Sequence, residues 1–184
     1  MTIPRTLTIF QTPNGKRIRS YPVEETKLLR KRSLKLNRTL VNLETDWTRF
    51  LDSANHRLDL ELSVTKVVQS ASWEIELSND TGNVLSFGFD HESNRFYTDR
   101  SSSGNVGFHE NFGKRHWAPR LSENDFMGIR VLVDNSSIEF FADLGEVVLT
   151  DLFFPDEPLT KMIFRAPEEV LVEAEFFHLK SIWR

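Results

Sequence analysis

Two glutamates, Glu139 and Glu146, lie on either side of a tight Asp-Leu-Gly turn in the stretch SSIEFFADLGEVVLTDLFFP. Retaining glycosidases use a pair of carboxylates about 5–5.5 Å apart to attack and protonate the scissile bond. Strand alternation places both glutamates on a β-hairpin, and the surface of a hairpin offers no cleft that would exclude water and hold a sugar. We therefore interpret both side chains as charges on the wet face of a scaffold, and we predict no catalytic residue here.

The other residue types that carry chemistry lack a catalytic or metal-binding pattern. The five histidines show neither HxH nor HExxH spacing, so they do not indicate a metal site. No G-x-S-x-G segment presents a nucleophilic serine, and SSSGNVG lacks the lysine and the strand-to-helix context of a phosphate-binding loop. Cysteine is absent, which excludes thiolate nucleophiles and disulfides. We predict no metal and no cofactor.

One basic cluster, within KLLRKRSLKLNR at residues 27–38, could attract an anionic partner. The alternative is a helix end followed by solvated strand faces, which the net charge of −4 favours. The longest apolar runs are too short to cross a bilayer, and the first residues lack the apolar core of a signal peptide. We predict no nucleic-acid partner and no membrane partner, and the cellular location stays open.

Several aromatic residues could stack against a sugar ring, namely Trp47, Phe112 and Trp117, with His116 beside them. Aromatic side chains of a β protein more often fill its core. Trp117 is the exception that we single out, because it falls in an irregular polar stretch, and Arg120 lies nearby as a hydrogen-bond donor. Trp117 and Arg120 are the candidate carbohydrate-binding residues.

The elements that must position these residues are mainly strands. RLDLELSV, SWEIEL and VLSFGFD alternate apolar and polar residues with a period of two, and about a dozen such runs are separated by turn signals. The acidic start and basic end of PVEETKLLRKR predict one short helix over residues 23–31, whereas residues 101–120 lose the period and are predicted to form a long loop. The sequence predicts an all-β, two-sheet antiparallel sandwich.

Three blocks of the sequence share a common resemblance: DNSSIEFFADLGEVVLTDLFFP at residues 134–155, DRSSSGNVGFHENF at residues 99–112, and TIPRTLTI followed by GKRIRSYPVEETKLLR. They resemble segments of glycoside hydrolase family 32, the fructan and sucrose hydrolases. The first block resembles the signature strands of the family's C-terminal β-sandwich, a lectin-like (concanavalin-like jelly-roll) fold. The second block is similar to a family segment just upstream, and the third is similar to the join between the family's catalytic propeller and its sandwich. The matching positions of the first block are Asp134, Ser136, Ser137, Ile138, Glu139, Phe141, Gly145, Glu146, Leu149, Thr150, Phe154 and Pro155.

The resemblance implies that the catalytic residues of the family are not in this chain. Thr12 stands in QTPNG where the family's W-M-N-D-P-N-G motif has its nucleophilic aspartate, and threonine does not ionise at ordinary pH. The chain contains no Arg-Asp-Pro and no cysteine for the Glu-Cys motif. Each propeller blade needs about 40–50 residues, and only a few residues precede the sandwich.

The resemblance also implies the role of the chain. We expect residues 1–22 to form the propeller junction and a first hairpin of the sandwich domain, and residues 23–184 to form the rest of that domain. The expected function is a non-catalytic accessory domain that stabilises a catalytic propeller, and the alternative is a carbohydrate-binding module for levan or inulin. Glu139 and Glu146 are then either surface charges or side chains that reach that propeller. The surface that the propeller covers should be an exposed apolar patch or should be hidden in a homodimer. Enzymes of this type are often periplasmic or secreted.

Overall fold

The computed structural model describes residues 3–12, 15–51 and 56–180, which form twelve strands and three short 3-10 helices. Two strands are much longer than the others: β3 has 17 residues and β12 has 19. The strands are β1 (Arg5–Thr12), β2 (Gly15–Pro22), β3 (Arg30–Asp46), β4 (Leu58–Lys66), β5 (Trp73–Ser78), β6 (Val84–Asp90), β7 (Arg95–Ser102), β8 (Arg115–Pro119), β9 (Phe126–Asp134), β10 (Ser137–Ala142), β11 (Val147–Leu152) and β12 (Lys161–Leu179). The 3-10 helices span Glu24–Leu29, Thr48–Phe50 and Asp143–Gly145.

Strands β1 and β2 form an antiparallel hairpin that is a separate two-stranded sheet. Its register pairs Arg5 with Pro22 at the open end and Thr12 with Gly15 next to the turn. Pro13 and Asn14, which the sequence places in this turn, lie outside the described residues. We call β1 and β2 the N-terminal hairpin.

The other ten strands form one antiparallel sheet that folds over into two layers. Their order is β11-β10-β9-β4-β12-β5-β6-β7-β8, and β3 runs along the other side of β12. The first part of β12 pairs with β5 and its second part pairs with β4. The register shifts between Ala166 and Val170, around Pro167, and proline is tolerated in a strand at such an irregularity. Strand β12 therefore passes from one layer to the other.

The core lies between the two layers and is rich in aromatic rings. Phe140 of β10 contacts Phe87 of β6 and Phe96 of β7 across the layers, with ring centroids 6.0 and 5.6 Å apart. Trp47 stacks on Phe164 at 4.5 Å. Because inward-facing residues alternate with outward-facing ones along each strand, this packing explains the period of two in the sequence. The predicted all-β sandwich is confirmed.

Three local predictions need correction. The helix predicted over residues 23–31 is a 3-10 helix over Glu24–Leu29, and strand β3 begins at Arg30. The loop predicted over residues 101–120 contains strand β8, because pairing with β7 supplies backbone partners that the local sequence pattern does not reveal. Trp47 is a buried core residue and offers no sugar platform.

The basic cluster lies partly on the 3-10 helix and partly on β3, and several of its charges have acidic partners. Lys27 pairs with Glu24 at 2.8 Å, and Lys35 pairs with Glu175 at 3.5 Å. Arg30 contacts two carboxylates and a phenyl ring on neighbouring strands. No helix among the described residues has the length and apolar character needed to span a membrane.

Candidate functional site

Glu139 of β10 is buried beneath the start of the N-terminal hairpin. Its carboxylate accepts a hydrogen bond from the backbone N–H of Ile3 at 2.7 Å and another from the guanidinium of Arg5 at 2.5 Å. The same Arg5 nitrogen donates to the hydroxyl of Thr150, which pairs with Glu139 across β10 and β11. The prediction that this side chain lies on a wet face is wrong, because the hairpin covers it.

Glu146 binds the other strand of the same hairpin. Its carboxylate accepts hydrogen bonds from Arg19 Nη2 at 2.5 Å and from Arg19 Nε at 3.2 Å. The Arg19 guanidinium also lies 4.0 Å from the centroid of the Phe10 ring, which holds it in place by a cation–π contact. Glu139 and Glu146 thus form ion pairs with two different arginines of the N-terminal hairpin. The two carboxylates attach this hairpin to the β10–β11 hairpin.

The turn between β10 and β11 is shaped by the same contact. Asp143, Leu144 and Gly145 all have positive φ, and a Cβ at Gly145 would lie 2.3 Å from the backbone oxygen of Ser20. Glycine is therefore required where the N-terminal hairpin crosses the turn. Arg120 donates to Asp143 at 3.0 Å; burial raises the pKa of Asp143, while this hydrogen bond and the charge of Arg120 oppose the rise.

A buried ion pair lies beneath the N-terminal hairpin. Arg130 of β9 binds Asp59 of β4 through two nitrogens, both at 2.9 Å, and also donates to the Thr26 hydroxyl. The guanidinium lies 5.9 Å from the Tyr21 ring. Burial raises the pKa of the Tyr21 hydroxyl, and the charge of Arg130 lowers it in opposition. The hairpin shields both charges from water, and the hydrogen bonds between Arg130 and Asp59 compensate for the hydration that each has lost.

The second family-like block packs against the end of the first. The backbone N–H of Asn105 donates to the Phe154 carbonyl at 2.8 Å, and the Phe112 ring stacks on the Phe154 ring at 5.5 Å. A Cβ at Gly104, which has φ +107°, would lie 2.1 Å from the same carbonyl oxygen. Asp134, the last residue of β9, accepts hydrogen bonds from the backbone N–H of Asn135 and from Arg57, both at 2.8 Å. All three family-like blocks therefore meet at β10, β11 and the segment that follows.

Strands β8 and β11, at the two ends of the strand order, are joined by side chains. Asp151 of β11 is buried; its carboxylate accepts a hydrogen bond from the Thr98 hydroxyl of β7 and lies 2.6 Å from His116 Nδ1 of β8. Arg100 approaches the same carboxylate at 3.6 Å and donates to the Leu152 carbonyl at 2.9 Å. We call this cluster, Thr98, Arg100, His116 and Asp151, the seam. It closes the gap between β8 and β11, which are not paired by a backbone ladder.

The two candidate sugar-binding residues occupy different environments. Trp117 lies on β8, not in a loop, and is exposed on the outer face of the sheet. Arg120 is buried, and besides Asp143 it donates to the carbonyls of Asn124 at 2.6 Å and Phe126 at 2.8 Å. These hydrogen bonds engage the Arg120 guanidinium inside the protein. Arg120 does not line the cleft that contains Trp117, so the structure does not bring the two residues together.

Trp117 lines a cleft of about 490 Å³ on the outer face of β5, β6, β7 and β8. Tyr97, Glu74, Arg115 and Arg165 line the same cleft. None of these four residues is predicted from the sequence as a site residue, although the alternation of RFYTDR already places Tyr97 on the face opposite to Phe96 and Thr98. Two other clefts, one beside Tyr21 and one beside Arg57, also lack Glu139 and Glu146. No group of three or more histidine or acidic side chains in the described part of the chain could hold a metal ion.

Comparison with known proteins places the whole chain beside fructan hydrolases. Levanase from Bacillus sp. (strain L7) is 29% identical over 189 residues, which cover 100% of this chain and 20% of the levanase. Extracellular exo-inulinase from Aspergillus niger is 24% identical over 187 residues, covering 100% of this chain and 35% of the inulinase. The chain thus spans about a fifth to a third of the length of these relatives.

Solved structures show the same fold. Exo-inulinase from Aspergillus awamori matches with a TM-score of 0.82 at 20% identity, over 99% of this chain and 36% of that one. Fructan 1-exohydrolase IIa from Cichorium intybus matches with a TM-score of 0.71 at 14% identity, over 95% of this chain and 40% of that one. The family described as "Glycosyl hydrolases family 32 C terminal" matches residues 25–181. The chain therefore belongs to the family of C-terminal domains of the family 32 glycosyl hydrolases.

Proposed function

We propose that this domain is a non-catalytic accessory domain of a fructan-degrading hydrolase and that it stabilises a catalytic domain by docking against it. The observation that carries this proposal is the N-terminal hairpin, which Glu139 and Glu146 hold firmly on the sandwich although it exposes apolar side chains. A rigidly attached element with an apolar outer face is suited to binding a second domain.

The apolar face of the hairpin consists of Leu7, Ile9 and Ile18, all exposed. Ile9 pairs with Ile18 across the two strands, and Leu7 lies two residues from Ile9, so the three side chains share one face. The similar levanase and inulinases are three to five times as long as this chain, and the remainder of such a protein is the occupant that we propose for this face. The interface would bury side chains that now contact water.

The docking proposal can be tested with Ile9→Asp and a matched control. Ile9 and Leu28 are both 72% exposed, but Leu28 lies on the 3-10 helix and not on the hairpin face. Burying one such side chain contributes about 1.5–3 kcal/mol. Calorimetric titration against the separately produced catalytic domain of the parent enzyme should therefore show about tenfold or greater weakening for Ile9→Asp. Leu28→Asp should bind like the unmodified domain.

Three results would contradict the proposal. Equal affinity of the two variants would move the interface away from the hairpin. Concentration-dependent self-association of the unmodified chain, lost in Ile9→Asp, would indicate a homodimer as the occupant. Release of fructose from sucrose, inulin or levan by the purified chain, abolished by Glu139→Gln, would show that the domain is catalytic.

A further inference from the structure

The cleft beside Trp117 is built on one transverse row of residues that crosses five strands. The strand registers place Arg165, Glu74, Gly88, Tyr97 and Trp117 side by side, in this order. The row lies on the outer face of the layer, because the neighbouring residues of these strands fill the core. It lies apart from the N-terminal hairpin and from β10, so a ligand bound there would not contact the proposed docking face.

Gly88, at the centre of the row, packs too closely against the backbone of β5 to carry a side chain. A Cβ at Gly88 would lie 2.2 Å from the backbone oxygen of Trp73, so the row has no side chain at its centre. The Tyr97 side chain fills part of the gap, since its hydroxyl donates to Glu74 at 2.7 Å, on the far side of Gly88. Burial raises the pKa of the Tyr97 hydroxyl well above its usual value, and the Glu74 charge adds to the rise, so the hydroxyl stays a neutral donor. Tyr97 and Glu74 therefore hold each other in place at the floor of the cleft.

Trp117 forms an aromatic wall whose orientation is held by its neighbours. Its side chain is 40% exposed, and its ring centroid lies 5.2 Å from that of Tyr97 at an angle of 54°. The Arg115 guanidinium lies 5.3 Å from the Trp117 centroid and 4.4 Å from the Tyr97 centroid, and Asp99 fixes it through a hydrogen bond of 2.8 Å. An indole held open to water in this way presents a preorganised flat apolar surface.

The charged side chains that line the cleft around Trp117 have a formal net charge of about zero. The cleft is lined by two cations, Arg115 and Arg165, and two anions, Glu74 and Asp90. Arg165 is itself held by Glu76 at 2.6 Å and by Glu44 at 3.0 Å. A phosphate or a nucleic acid would need an excess of cations. A neutral ligand with many hydroxyl groups could donate to the carboxylates and accept from the guanidiniums, while its apolar C–H face stacks on Trp117.

We propose that this cleft is a binding site for a neutral saccharide, which stacks on Trp117 and hydrogen-bonds to Arg115, Glu74 and Arg165. The cleft volume of about 490 Å³ falls within the range of small-ligand sites, about 300–1,000 Å³. A protein partner needs a much larger surface, about 800 Å² on each side, and a more apolar centre. The site therefore fits a short segment of an oligosaccharide.

Calorimetric titration with levan and inulin oligosaccharides tests the site, with mannan oligosaccharides as a second neutral probe. The unmodified chain should bind at least one of them with a Kd of about 1 mM or below. Trp117→Ala should weaken this binding about tenfold or more, and Trp117→Phe, which keeps an aromatic face, should weaken it less. Phe126→Ala removes another exposed aromatic ring outside the cleft and should leave the affinity unchanged.

A second measurement on a chain that retains Trp117 guards against misfolding of the alanine variant. In a Trp183→Phe background, which leaves three tryptophans, bound saccharide should shield Trp117 from acrylamide quenching, whereas Trp47 and Trp73 are buried and should respond little. This protection should disappear when Trp117→Phe is added. Flat titrations of the unmodified chain with all three saccharides would overturn the proposal, as would binding that Trp117→Ala leaves intact. Loss of affinity in Phe126→Ala alone would place the sugar elsewhere and would also overturn it.

Discussion

Glu139 connects the first residues of the chain to the middle of the sandwich. Its carboxylate accepts from the Ile3 backbone and from Arg5, which lies 134 residues away in sequence. A buried carboxylate with two donors is stable as long as both remain, because the donors replace the water that it has lost. The glutamate that suggests catalysis when read in the sequence is thus an anchor for the N-terminal hairpin.

Removing this charge should loosen the hairpin. We expect Glu139→Gln to lower the free energy of unfolding by about 1–3 kcal/mol, because Arg5 and the Ile3 N–H lose their charged acceptor. A double-mutant cycle with Arg5→Met should give a coupling energy of about 0.5–3 kcal/mol in urea denaturation. Glu24→Gln, which breaks the exposed pair with Lys27, is the control and should leave the denaturation midpoint unchanged. A coupling energy of zero would mean that Glu139 is not an anchor.

At the scale of elements, the β10–β11 turn and the N-terminal hairpin fit together backbone against backbone. Ser20 of β2 packs directly on Gly145, while Arg19 beside it binds Glu146. The contact explains why an Asp-Leu-Gly turn with three positive φ angles is maintained, since such backbone strain persists only where the surrounding structure holds it. Leu144 at the centre of this turn remains exposed.

Alanine substitution separates the effect of backbone strain from the effect of this contact. Gly145 has φ +83° and Gly82 has φ +87°, but nothing lies within 4 Å of a Cβ at Gly82. Both substitutions should cost about 1–2 kcal/mol for the left-handed backbone. Gly145→Ala should cost about 1–3 kcal/mol more, because the new Cβ overlaps the Ser20 backbone. Urea denaturation measures the difference, and limited proteolysis should cut the hairpin faster only in Gly145→Ala. Equal costs would argue against the close contact.

For the whole molecule, the decisive feature is how a single folded sheet closes. Strands β3 and β12 carry the sheet from one layer to the other, and at the far edges β8 and β11 meet without a backbone ladder. The seam supplies side-chain contacts there: Asp151 accepts a hydrogen bond from Thr98 and lies within ion-pair distance of His116. Side chains from three strands thus protect two edges that would otherwise be open to pairing with another chain.

The seam should be a main contributor to global stability. We expect Asp151→Asn to lower the free energy of unfolding by about 2–4 kcal/mol, because a buried, multiply bonded charge is lost and its partners stay behind. Hydrogen exchange should increase first in β8 and β11. Asp80→Asn is the control, since Asp80 also forms an ion pair at 2.6 Å, with Lys161, but on the surface. Similar behaviour of the two variants would show that the seam does not hold the layers closed.

Much of the fold could be predicted from local patterns, whereas the candidate sites could not. The alternation in RLDLELSV and SWEIEL correctly indicates strands with one buried face. Strand β8 is not predicted, because its five residues, RHWAP, are too few to show an apolar–polar alternation. Pairing with β7 makes this segment a strand. Trp117 was singled out for a loop position that it does not have, yet the strand places it in the cleft with Tyr97.

The sequence by itself determined the all-β class, the N-terminal hairpin and the resemblance to the family 32 sandwich, because these follow from residue types and from spacing along the chain. Only the tertiary structure decided that Glu139 meets Arg5, that Asp59 meets Arg130, and that five strands line up Arg165, Glu74, Gly88, Tyr97 and Trp117 in one row. The physical reason is that alternation with a period of two fixes the face on which a side chain lies. Its neighbours on that face depend on strand order and register, which are set when distant strands bury their apolar faces together.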